Sequence, residues 1–305
     1  MNKFTTGFVF DNEDPSLDCP SIAELQVALE KRRPKTLKLF GDWRGLEALP
    51  EFLTSSVESL WISGEKLKEI PELSSFKKTK RLIIHSSTPP LVNFEGLESL
   101  ESCDIQWRDM RSLSVLNLTP ISTLALDGFK SADFNGWPIN SKLTSLALTK
   151  TAIINCQGIG ALSHLNILDI RRASNLNSFE GIGKPLASVY LMDAPKLTCL
   201  NLNSAKATIR SIMLLGVNAC IDLSDAYDCK QLETLIVAGS LDIQFEWHKA
   251  VELPKLQRVQ GVWNSEDYSE QDIVNLAENN GKRVKKLEFS GKGKKRWLLA
   301  EFDIS

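Results

Sequence analysis

Leu143-Thr144-Ser145-Leu146-Ala147-Leu148 and Leu165-Asn166-Ile167-Leu168-Asp169-Ile170 are two copies of one pattern. An apolar residue is followed by two variable residues, a second apolar residue, one variable residue and a third apolar residue. Weaker copies begin at Pro34, Val57, Thr79, Leu100, Ile121, Leu186, Ile209, Leu232, Leu256 and Val284. Successive starts along the chain lie 23, 22, 21, 21, 22, 22, 21, 23, 23, 24 and 28 residues apart. A period this regular marks a solenoid, in which each unit packs on its neighbours and the core grows along one axis.

The second half of each copy alternates apolar and variable residues with period two, the signature of a strand with one buried face. A turn and a variable return segment follow. Several returns share a local motif: Phe94-Glu95-Gly96-Leu97, Phe134-Asn135-Gly136-Trp137, Cys156-Gln157-Gly158-Ile159 and Phe179-Glu180-Gly181-Ile182. A glycine between two apolar anchors suits a tight or short helical return packed against the strand layer.

The LxxLxL pattern at this spacing resembles the leucine-rich repeat family over residues 34–264, most closely at Leu143–Leu186. The resemblance implies an α/β solenoid: an arc of about 11–12 short repeats with a parallel sheet on its concave side. The family places Asn or Cys in the turn after the strand. Here those positions hold Asp42, Glu65, Ser87, Arg108, Phe129, Thr151, Ala173, Ala194, Val217, Ser240 and Asn264. Only Asn264 fits, so the turns must satisfy their backbone in another way, and the expected arc is irregular; its short, irregular repeats and the lack of a signal look similar to bacterial cytoplasmic repeat proteins.

The ends do not repeat, as solenoid caps require. Residues 1–33 read as an N-terminal cap, with a strand within Phe4–Phe10 and an amphipathic helix over Ser21–Arg32. Residues 265–305 read as a C-terminal cap. In it, Ser269–Asn280 forms a helix with Ser269 as N-cap and Asp272 in the capping-box position. Val284–Ser290 and Arg296–Phe302 then flank a Gly- and Lys-rich turn as a β-hairpin.

The net charge of −2 gives no general attraction to nucleic acid or to an anionic membrane. No stretch reaches the roughly 20 apolar residues of a membrane span, and the N-terminus lacks a secretory pattern. The six cysteines form no CxxC pair and read as small apolar fillers in a reducing, cytoplasmic setting. His85, His164 and His248 are dispersed, without metal-ligand spacing. Gly158-Ile159-Gly160 and Gly181-Ile182-Gly183 recur with the repeat, which makes them turns and not phosphate loops. The basic segment Lys282–Arg296 reads as a solvated hairpin edge whose lysines oppose sheet-to-sheet pairing. Neither a catalytic residue nor a cofactor or metal is expected.

The third, fifth and seventh positions of each copy face away from the leucines. Ser and Thr dominate the third. At the fifth and seventh, and one place beyond, stand Trp61, Ile83, His85, Asp104 and Trp107 in the early copies. Asp127, Asp169, Arg171 and Arg172 occupy the middle, and Tyr190, Met192, Met213, Leu215, Ile236 and Trp263 the late copies. Trp, Tyr, Met and Arg are enriched where proteins bind proteins. The expected function is a non-enzymatic scaffold, monomeric when free, that docks a protein partner on the concave surface. Its more specific form is a bacterial immunity protein that blocks a toxin. The alternative is the recognition module of an effector or ubiquitin-ligase-type complex.

Overall fold

The computed structural model describes residues 7–9, 17–18, 35–40, 51–64, 67, 69–70, 73–118, 120–138, 142–180 and 186–304. The helix expected at Ser21–Arg32 lies outside them, as does Cys19. The chain divides into two compact units: Met1–Phe129 with Asn140–Thr144, and Lys130–Ile139 with Ser145–Ser305. Each is built on an open, mostly parallel sheet with few helices.

In the first unit, β1 (Gly7–Val9) and β2 (Leu17–Asp18) pair antiparallel at one margin. β1 also pairs antiparallel with β3 (Thr36–Phe40). Parallel strands then follow as β4 (Ser59–Gly64), β5 (Arg81–Ser86), β6 (Ser102–Gln106) and β7 (Thr123–Asp127). A four-residue helix, α1 (Glu51–Thr54), and a 3-10 segment at Met110–Asn117 lie in the returns.

The second unit carries β8 (Ser145–Thr149), β9 (Ile167–Arg171), β10 (Ser188–Met192), β11 (Ser211–Val217), β12 (Thr234–Gly239) and β13 (Arg258–Asn264), all parallel. The returns hold α2 (Ser224–Tyr227) and α3 (Trp247–Glu252). After α4 (Glu270–Asn279), the strands β14 (Lys282–Ser290) and β15 (Lys295–Ile304) form an antiparallel hairpin, and β15 pairs antiparallel with β13. The stretch that begins at Val284 is therefore hairpin and not a further repeat. Helix α4 has the expected capping box: Ser269 Oγ accepts from the Asp272 amide, and the Asp272 carboxylate accepts from the Ser269 amide.

The leucine pattern explains the sheets. Leu143, Leu146, Leu148, Leu168 and Ile170 are fully buried, and the residues between them are more open. Each buried aliphatic side chain contributes about 1.5–3 kcal/mol. The register follows the repeat starts: Ser145 lies opposite Ile167, Ile167 opposite Ser188, and Ser188 opposite Ser211. At strand entrances one carbonyl accepts two amides, as Glu58 O does from Lys80 and Arg81, and Ala187 O from Arg210 and Ser211. Thr79, standing where most other copies have Leu or Ile, is fully buried, and its hydroxyl donates to Val57 O at 3.1 Å.

Two devices replace the missing asparagines. First, the turn after several strands places a residue in the left-handed region: Gly128, Lys150, Arg172, Asp193 and Gly216. The amides of Lys150, Arg172 and Asp193 donate to Arg171 O, Met192 O and Leu215 O, so the ladder runs one residue past the strand. The next side chain, Phe129, Thr151, Ala173, Ala194 or Val217, is buried as filler. Second, the return motif is a type II turn, which needs a positive φ at its third residue. Gly96, Gly136 and Gly158 have φ of 82°, 81° and 84°. The side chains of Asn93, Asp133 and Asn155 cap the amides two residues on, at 2.9–3.0 Å.

The hairpin is fastened by Lys282. Only 3% exposed, its ammonium donates to Leu253 O at 2.7 Å and to Val251 O at the end of α3. Burial lowers its pKa from the ordinary 10.5. A Cβ at Gly158 would sit 2.7 Å from the Phe134 carbonyl carbon, whereas one at Gly160 would meet nothing within 4 Å. Gly158→Ala is therefore expected to cost roughly 2–4 kcal/mol in urea unfolding, from left-handed strain and backbone overlap together, with Gly160→Ala near neutral.

Lys282→Met leaves two carbonyls unpaired and is expected to cost about 1–3 kcal/mol. The pH dependence has a fixed sign. With its folded pKa below the unfolded 10.5, Lys282 makes the unfolded chain bind more protons between those values, so its contribution to stability rises with pH across that window. The difference between wild type and Lys282→Met in midpoint against pH measures this contribution. An equal slope in both would remove it.

Candidate functional site

On the outward face of the first unit's sheet, Lys38, Trp61, Ile83 and Asp104 stand side by side on successive strands. The Lys38 ammonium lies 5.0 Å from the centroid of the Trp61 ring. His85 meets that ring edge-on at 6.4 Å, and its Nε2 is 3.4 Å from Asp104 Oδ1. Asp127 lies on the same face, one strand beyond Gln106. Ile83 points outward yet is only 7% exposed, wedged between its neighbours on either strand.

The second unit presents a larger arrangement. Asp169, Tyr190, Met213, Ile236 and Gln260 form one row across the strands, and Arg171, Met192, Leu215 and Ala238 form the next. Tyr190, Met192, Met213 and Leu215 are all half-buried, while Ile236 is 7% exposed. Ser188, Ser211 and Thr234 line one side as a hydroxyl row. At the β9 end, Arg171 grips both oxygens of Asp169, at 2.7–3.0 Å. That bond holds the guanidinium above its usual pKa. Arg172 is exposed in the adjoining left-handed turn.

Two sequence expectations need correction. Trp107 is 5% exposed and packs edge-on against Phe129, with ring centroids 4.8 Å apart. Trp263 is 3% exposed and lies on the inward side of β13, against Phe289 of the hairpin. Both sit one place past the alternating outward positions, where the strand's period turns a side chain back toward the core. Neither lines the exposed face.

The sequence reading also missed two members of the patch. β15 lies beside β13, so Leu299 stands opposite Gln260 and Trp297 opposite Val262, and beyond Gln260 the hairpin adds further apolar residues to this face. The period-two alternation of Arg296–Phe302 carried that signal.

Among the described residues no group of three or more His, Cys, Asp or Glu converges to hold a metal. Burial pushes the thiols of Cys103 and Cys156 far up and that of Cys229 up to about 12, the opposite of an activated nucleophile. The hairpin's lysines are largely neutralised: Lys285 pairs with Asp303, Lys286 with Glu288, Lys294 with Glu266 and Lys295 with Asp242. No helix of the described residues is long and apolar enough to cross a membrane.

No family model matches the chain, and no curated protein is similar enough to it to count as a relative.

Inward and outward positions predict different stability effects. Trp107→Ala empties a core site and is expected to cost about 3–5 kcal/mol. Met213→Ser, on the outward face, is expected to change stability by less than about 1 kcal/mol. Thermal unfolding of both variants checks the assignment of inward and outward positions.

Proposed function

We propose that this chain is an irregular leucine-rich-repeat solenoid that acts as a non-enzymatic protein-binding scaffold. Its docking surface is the outward face of the second unit's sheet. The observation that carries this reading is the run of Tyr190, Met192, Met213, Leu215 and Ile236 in two adjacent rows, continued by Leu299 and Trp297. Soluble proteins rarely leave an apolar patch this continuous uncovered. Its composition is that of binding hot spots, with Tyr and Met at the centre, Trp297 on the hairpin side and charged residues at the margin.

The mechanism is complementary burial. A partner's apolar side chains settle on the Met and Tyr columns, while the hydroxyl row supplies hydrogen bonds along one side. The Asp169–Arg171 pair and Arg172 set the partner's orientation, since margin charges act mainly on encounter and choice. Methionine suits the centre because its unbranched side chain adapts to irregular shapes. The partner is a protein, because the face is broad and built of flat strand rows, not a concave pocket with converging titratable groups.

The double substitution Tyr190→Glu/Met213→Glu places charge at the centre of the patch without touching the core. It is expected to abolish recovery of partner proteins in cross-linked pull-downs while leaving the unfolding midpoint nearly unchanged. Partner recovery equal to wild type would move the interface off this face.

A further inference from the structure

Arg296 differs from the lysines around it. Each of Lys285, Lys286, Lys294 and Lys295 has a carboxylate partner. Among the described residues Arg296 has no ion pair, and its buried Nε has no hydrogen-bond acceptor. It is nevertheless fixed in place. Its guanidinium carbon lies 4.7 Å from the centroid of the Trp263 ring and 4.5 Å from that of Phe289, in the corner where the two rings meet edge to face. Trp263 stands directly across the strand pair from Arg296, and its indole N–H is also buried without an acceptor. Two neighbouring donors are thus unsatisfied, although buried polar groups ordinarily find partners. The residue as a whole stays partly exposed.

We propose that Arg296 is a carboxylate-binding fork at the tip of the terminal hairpin. A guanidinium offers five N–H donors in a plane, and two of them match the two oxygens of a carboxylate. The aromatic corner holds that plane, so little side-chain freedom is lost on binding. Local charge selects the ligand. Glu266 and Asp242 are occupied by Lys294 and Lys295, while Asp267 accepts a hydrogen bond from the Asn264 side chain. With Lys292 in the connecting turn, the corner is modestly cationic. That balance suits a monoanionic carboxylate better than a phosphate dianion. This site is separate from the sheet-face patch, so the two readings fail independently. Trp263, unsuited as an anchor for a partner, acquires a positioning role here.

The test is a titration of the full chain followed by the Arg296 Nε–H and Trp263 indole N–H resonances. The probes are acetate and a blocked Asp-containing tripeptide, with chloride as the ionic-strength control and inorganic phosphate for comparison. Saturable shifts of both resonances with carboxylate are expected. Arg296→Lys keeps the charge but loses the fork, and is expected to weaken the response about tenfold. Lys285→Ala, at the other end of the hairpin, is expected to keep the response, and unchanged indole resonances elsewhere report an intact fold. Tighter binding of the tripeptide than of acetate assigns the carboxylate to a protein side chain, and equal binding assigns it to a free small acid. A response indistinguishable from chloride overturns the proposal, as does a tighter response to phosphate or an Arg296→Lys variant that responds like wild type.

Discussion

The parallel ladder is the constraint on which the rest of this structure depends. Every central strand must be hydrogen-bonded on both edges, because an unmade backbone bond in a buried layer costs about as much as several packing contacts supply. Parallel neighbours can be reached only by a return that climbs to the next level. The return must therefore close within a fixed number of residues, and the repeat length is the geometric result. Small variations in that length are absorbed in the returns, where 3-10 turns, short helices and two-residue strands substitute for one another. The strands differ in length but keep register through their buried positions, since a shift of one residue would turn every buried side chain outward.

Much of the fold could be read from residues alone, and for a physical reason. Leu146 and Leu148, or Leu168 and Ile170, are two apart, and only an extended chain places such a pair on one side. The capping box at Ser269 and Asp272 was equally legible because it depends on residues three apart in sequence. The turns were legible only in part. The absence of asparagine showed that a substitute was needed. It did not show that Lys150, Arg172 and Asp193 would adopt left-handed conformations, because Lys and Arg have no leaning toward that region and only Asp193 is of a type that enters it readily. They are held there by the ladder bonds on either side.

The outward face was legible to the extent that period two holds. Tyr190, Met192, Met213 and Leu215 fall where alternation places them. Trp107 and Trp263 lie just past a strand's outward positions, and hydrophobic character alone could not reveal which way they turn. Trp107 turns to Phe129, and Trp263 meets a hairpin that is remote in sequence. The cross-strand neighbours of β13 depend on the hairpin's direction, which the alternation of Arg296–Phe302 does not give, and for this reason Leu299 and Trp297 were not placed on this face. The proposed docking role rests on the residue types of that patch, which are the ones enriched where proteins meet.

The direction of the hairpin carries a last consequence. β15 runs against β13, and a parallel coil can stack only on a coil of its own sense. The sheet thus has a grammatical full stop. Duplicated coils can enter this chain between existing ones, where both neighbours run the same way, but they cannot be appended after Asn264. Length in such a lineage changes from within, and each insertion separates the residues of the outward patch by one more strand. The proposed docking surface is then altered by the same event that lengthens the protein.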